Sequence, residues 1–112
     1  MAYQHIQVPD TGERIRVGAG NNLQVPDRPI IPYIEGDGIG VDITPVMRKV
    51  VDAAVQRAYA GKRSIAWMEI FAGEKANKLY GPTVWLPDET IDAIREYLSL
   101  YKADVTGAAH AD

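Results

Sequence analysis

Cysteine is absent from all 112 residues. That excludes disulfides and thiolate-held metals, and it fits a reducing compartment. Histidine is scarce. His5 and His110 stand near opposite ends with no second ligand at metal spacing, so both read as exposed chain-end residues. Asp104, His110 and Asp112 are too loosely spaced to read as a metal cluster. No apolar run approaches the length of a membrane span. The start, Met1-Ala2-Tyr3-Gln4-His5, lacks the basic and apolar blocks of a signal peptide. There is no surplus of positive charge either. The net charge is −3 and no basic stripe is visible, which argues against a nucleic acid as partner. Trp67, Trp85, Phe71 and the tyrosines therefore read as packing residues rather than a stacking platform. A soluble cytoplasmic protein, with no nucleic acid and no membrane as partner, is expected.

What is present is an ordinary globular composition, 46% hydrophobic and 24% charged, in a length that suits one domain. No internal repeat or low-complexity tract interrupts it. Residues 1–28 are polar and turn-rich. Glu13-Arg14-Ile15-Arg16-Val17 and Leu23-Gln24-Val25, joined by Gly18-Ala19-Gly20-Asn21-Asn22, predict a hairpin arm. Residues 29–112 are expected to form an α/β unit of strand–helix–strand–helix–strand order. Ile30-Ile31-Pro32-Tyr33-Ile34 is the first strand, and Pro32 argues against a central, fully paired position. The helix after Gly40 is expected to bury Ile43, Met47, Val50, Ala54 and Ala58, with Val46, Val51 and Val55 widening the stripe. Asp42 or Thr44 would cap it, Pro45 belongs in its first turn, and Gly61 stops it. A second strand is predicted over 64–71. Residues 72–84 read as irregular, with room for one helical turn near 74–79. A second helix opens at Pro87 with Ile91, Ile94 and Leu98 inward, and a third strand follows over 98–105.

Gly36-Asp37-Gly38-Ile39-Gly40 is the most informative local feature. Three glycines in five residues let a chain turn sharply at a strand end and approach a ligand closely. Open α/β sheets bind ligands outside the carboxyl ends of their strands, where this loop falls. A tight turn with no ligand explains the same residues. The dinucleotide fingerprint does not match, because its third glycine would fall at Val41, and no Gly-Lys-Ser/Thr follows to make a phosphate loop. Lys102 and Thr106, four apart at the end of the third predicted strand, could meet substrate oxygens or amides. They also read simply as a solvated lysine and a turn threonine.

The run Pro29-Ile30-Ile31-Pro32-Tyr33-Ile34-Glu35-Gly36-Asp37-Gly38-Ile39-Gly40-Val41-Asp42 closely resembles the bacterial NADP-dependent isocitrate dehydrogenases, within the isocitrate/isopropylmalate dehydrogenase family. The likeness continues through Lys49-Val50-Val51-Asp52-Ala53-Ala54-Val55, Ala66-Trp67-Met68-Glu69-Ile70, Gly73-Glu74-Lys75, Tyr80-Gly81, Val84-Trp85-Leu86-Pro87 and Ile94-Arg95-Glu96-Tyr97. The resemblance implies the incomplete large domain of a non-Rossmann α/β enzyme that works as a homodimer. It implies oxidation of isocitrate with NADP and decarboxylation to 2-oxoglutarate with Mg²⁺ or Mn²⁺. It also places Ile39 and Thr106 as cofactor-binding residues and Lys102 as substrate-binding. After Lys102 the sequence departs from the family pattern, with Gly107 in place of a second threonine. The family's catalytic tyrosine, second lysine and metal-binding aspartates have no counterpart in this chain, so no catalytic residue and no metal ligand is assigned. The isolated chain is expected to be inactive. The alternative is a non-enzymatic short product that binds dehydrogenase subunits or another partner.

Overall fold

The computed structural model describes residues 3–103. Arg16–Val17 (β1) and Leu23–Gln24 (β2) pair antiparallel across a 3-10 turn at Ala19–Asn21. The main body runs Ile30–Ile34 (β3), Gly40–Tyr59 (α1), Ala66–Glu69 (β4), Glu74–Tyr80 (α2), Asp88–Tyr97 (α3) and Tyr101–Lys102 (β5). The mixed α/β class expected from the sequence is present. The segment read as irregular holds a two-turn helix, α2, whose Ala76 is fully buried.

The three-stranded sheet is parallel, in the order β4-β3-β5, so β3 is central. Pro32 sits inside that central strand and is almost wholly buried, although a proline argues against a central, fully paired position. The reason lies in strand alternation. Pro29 and Tyr33 turn their carbonyls to β4, where the Ala66 and Ile70 N–H groups donate. Pro32, one residue out of phase, turns its nitrogen to the opposite side. There Ile30 N–H donates to Glu13, and β5 pairs only with Tyr33 and Ile34. The missing donor thus falls between two partners.

One face of the sheet carries the core. Ile30, Ile34, Ala66, Met68 and Ile70 pack with Phe71, Ala72, Ala76 of α2 and Ala93 and Tyr97 of α3. Ile6 joins them, and its neighbours are held by Glu89 of α3, which accepts the N–H groups of Gln4 at 2.6 Å and His5 at 3.0 Å. In α3 the inward residues are Thr90, Ala93 and Tyr97, with Ile94 partly buried. Leu98 is exposed and ends the helix with a left-handed φ of 62°.

The opposite face meets α1, and here the sequence reading needs correction. The residues of α1 that approach the sheet are polar. Thr44 donates to the Glu35 carbonyl at 2.7 Å, Arg48 to the Tyr33 hydroxyl at 3.0 Å, and Asp52 accepts the Trp67 indole N–H at 2.9 Å. The Arg48 guanidinium lies 4.8 Å from the Tyr33 ring centroid. These three residues are four apart, one stripe of the helix. Ile43, Val46 and Val50 face outward, at 45%, 59% and 63% exposure. Ala54 and Ala58 are exposed too, while Met47, Val51 and Val55 are half-buried. Of the expected apolar stripe, only the edge carrying Met47, Val51 and Val55 is partly covered. The helix also starts without a side-chain cap, at Ile39. Thr44 bonds the preceding strand end instead, and Pro45 falls in the second turn.

Candidate functional site

The carboxyl ends of β3 and β5 open on a common rim, and the glycine loop leaves β3 there. Gly36 and Gly38 have φ of 88° and 58°, a left-handed region that side-chain-bearing residues rarely adopt. Gly40 is required for a different reason. A Cβ there would stand 2.5 Å from the Glu35 carbonyl oxygen and 3.4 Å from Ala103 Cβ. The loop is therefore folded tightly against the first turn of α1 and against the end of β5.

Hydrogen bonds fix its shape. Gly40 N–H donates to the Asp37 carbonyl at 3.0 Å, Val41 N–H to Gly38 at 3.3 Å and Asp42 N–H to Ile39 at 3.0 Å. The first donors of α1 are thus spent on the loop itself rather than offered as an anion cradle. The Asp37 carboxylate accepts the Glu74 N–H at the start of α2, at 3.1 Å.

Ile39 crowns this turn and is 73% exposed, the most exposed large apolar side chain described. No atom outside the loop lies within 4 Å of the space above Gly38. The turn is not packed shut. Lys102 is exposed at the end of β5, in register with Ile34. Ala103 N–H donates to the Ile34 carbonyl at 3.3 Å, which ties the two strand ends together. The loop and the end of β5 thus meet at one rim, where Gly40, next to Ile39, approaches Ala103, next to Lys102. Thr106 lies outside the described residues, as do Asp104, His110 and Asp112.

Two further expectations are revised. His5 is half-buried and stands edge-on to the Tyr80 ring, with centroids 4.5 Å apart, rather than free at the surface. Trp67 packs edge-on against Tyr33, whereas Trp85 is exposed and outside the core. Among the described residues no group of three or more His, Asp or Glu could hold a metal ion. No helix among them is long and apolar enough to cross a membrane.

Sequence reasoning passed over the polar groups behind the loop. Lys75 bridges Glu35 and Glu69, and burial pushes the Tyr33 hydroxyl above its ordinary pKa, with Glu69 adding to the effect. A lysine forty positions from its partner leaves no local signal. Only its place in the run Gly73-Glu74-Lys75 marked it at all.

Comparison with known proteins is specific. Residues 30–112 match the profile of the isocitrate/isopropylmalate dehydrogenase family. The chain is similar to the isocitrate dehydrogenase [NADP] of Coxiella burnetii, 63% identical over 106 residues, which is 95% of this chain and 25% of that protein. The Pseudomonas aeruginosa enzyme of the same name is 61% identical over 106 residues, again 95% and 25%. An isocitrate dehydrogenase [NADP] 1 of Colwellia maris is 54% identical over 101 residues, covering 90% and 24%. The chain spans about a quarter of the length of these relatives.

Proposed function

Because the chain belongs to the isocitrate/isopropylmalate dehydrogenase family, we propose that it forms one wall of the active site of an NADP-dependent isocitrate dehydrogenase, which converts isocitrate to 2-oxoglutarate in a cytoplasmic homodimer. In this reading residues 1–28 are an arm and residues 29–112 an incomplete large domain. The observation that carries it is the rim at the end of β3, where Ile39 is exposed on the glycine loop and Lys102 stands in register with Ile34.

NADP supplies the hydride acceptor. Ile39 offers an exposed apolar surface of a size suited to one face of a nicotinamide ring, and the open space above Gly38 leaves room for it. Lys102 places a positive charge on the same rim, where a tricarboxylate would be held by attraction. Thr106 is proposed as a second cofactor contact through its hydroxyl. The described residues do not fit Mg²⁺ or Mn²⁺, since no carboxylate group of the required number gathers on them. The cation's ligands then belong elsewhere in the enzyme.

Catalysis needs the remaining groups held together with these. The purified 112-residue chain is therefore expected to give no isocitrate-dependent NADP reduction with Mg²⁺. Joined to the three quarters that follow in a relative, it is expected to give a dimer that reduces NADP. A folded, dimeric chimera that fails to do so would sink the assignment.

The outward apolar face of α1, with Ile43, Val46 and Val50, favours a second reading in which the short chain binds dehydrogenase subunits without catalysing anything. Co-purification with a full-length relative supports it. A chain that stays monomeric beside that relative removes it.

A further inference from the structure

Behind the glycine loop, charged side chains from three parts of the chain converge. Glu35 follows β3, Glu69 ends β4, and Lys75 stands in the first turn of α2. Lys75 Nζ lies 3.4 Å from Glu35 Oε1 and also pairs with Glu69. One residue earlier, Glu74 N–H holds the Asp37 carboxylate. Glu35 and Asp37 flank Gly36, whose φ of 88° sets the direction of the turn. The loop is thus gripped by α2 at both neighbours of its first glycine.

The arrangement is unequal in a telling way. Two carboxylates share one ammonium, and both grow from the ends of adjacent paired strands. Removing the ammonium does more than delete a contact. It leaves Glu35 and Glu69 as neighbouring like charges, and their repulsion acts on the strand end from which the loop departs. Burial works against the charged lysine, but the hydrogen bond and charge of Glu69, then Glu35, outweigh it and hold its pKa above the ordinary value. The ammonium is therefore present throughout the neutral range.

We propose that Lys75 is the positioning residue of the glycine loop: by neutralising Glu35 and Glu69 together it fixes the turn at Gly36 against α2, and so sets where the loop meets the nicotinamide cofactor. Only the last clause rests on the function proposed above.

Amide hydrogen exchange on the 112-residue chain tests the tie directly. Lys75→Met is expected to speed exchange at Gly40 and Glu74 about fivefold, with Met68 and Ile70 in the core strand region unchanged. Adding Glu69→Gln to Lys75→Met removes the repulsion and brings the rates back toward those of the parent. A purely packing role for the lysine stem would not respond to that second change. Should Lys75→Met unfold the chain, Glu35→Gln, which keeps the Lys75–Glu69 pair, still predicts faster exchange at Gly40. Unchanged rates at Gly40 and Glu74 overturn the proposal. In the active chimera, Lys75→Met is expected to raise KM for NADP about fivefold with kcat changed less than about twofold. An unaltered KM removes the cofactor clause. An inert parent chimera counts against the functional reading instead, while the exchange rates still decide the tie.

Discussion

Thr90 is wholly buried and donates its hydroxyl to the Phe71 carbonyl at 2.6 Å. Thr90→Val keeps the shape and removes the donor, leaving a buried carbonyl without a partner. Urea unfolding should show a loss of about 1–3 kcal/mol. Gly40→Ala acts through space rather than polarity. Its Cβ would lie 2.5 Å from the Glu35 oxygen, so the loop and the first turn of α1 must part. A cost of about 1–3 kcal/mol is expected in the same measurement. Glu89 is a third sensitive residue. Burial pushes its carboxyl up, yet hydrogen bonds from the Tyr80 hydroxyl and from the Gln4, His5 and Ile6 amides overcome this and hold it below the ordinary carboxylate pKa. A lowered folded-state pKa adds stability above the unfolded value, and that stability is lost as pH falls through the folded one. Glu89→Gln should flatten the acid limb of the stability curve, read by chemical unfolding at a series of pH values. An acid limb identical to the parent's would show that Glu89 does not anchor residues 4–6.

At the scale of elements, the two sides of the sheet answer differently to substitution. Met68 is 1% exposed, and Met68→Ala should cost about 2–5 kcal/mol. Val50 is 63% exposed on α1, and Val50→Glu should change stability by less than about 0.5 kcal/mol while reducing self-association in light scattering. That contrast shows what could and could not be read from the chain. The glycine loop, the helix after it and the strand around Ala66–Glu69 were legible, because each rests on local chemistry: turn residues, 3.6-residue spacing, branched and aromatic side chains. The orientation of α1 was not. Periodicity locates an apolar stripe but does not say whether sheet, solvent or another segment covers it. The sheet here takes Thr44, Arg48 and Asp52 instead, through bonds to residues that only the fold brings near. The helix at Glu74–Tyr80 was read as at most one turn, since its single wholly buried residue, Ala76, gives almost no amphipathic signal. Of the candidate site, the residues themselves pointed to the glycine loop and to Lys102 at a strand end, while the roles proposed for Ile39 and Lys102 came from family likeness. Their meeting on one rim depends on the register of Ile34 with Lys102, which no local pattern encodes.

For the whole molecule, the parallel arrangement of β3, β4 and β5 decides how variation is read out. Ile34, Glu69 and Lys102 all finish at one rim. The opposite rim holds ties of another kind, such as Arg28 to Thr11 and Ser64, and Glu13 to Ile30. Drift at the second rim registers as a change in melting temperature. Under the proposed function, drift at the first registers as a change in chemistry as well, even though positions such as Gly40 there also carry stability. A lineage could therefore exchange one substrate for another by rewriting the carboxyl-end loops while the foundation at the other end stayed as it was.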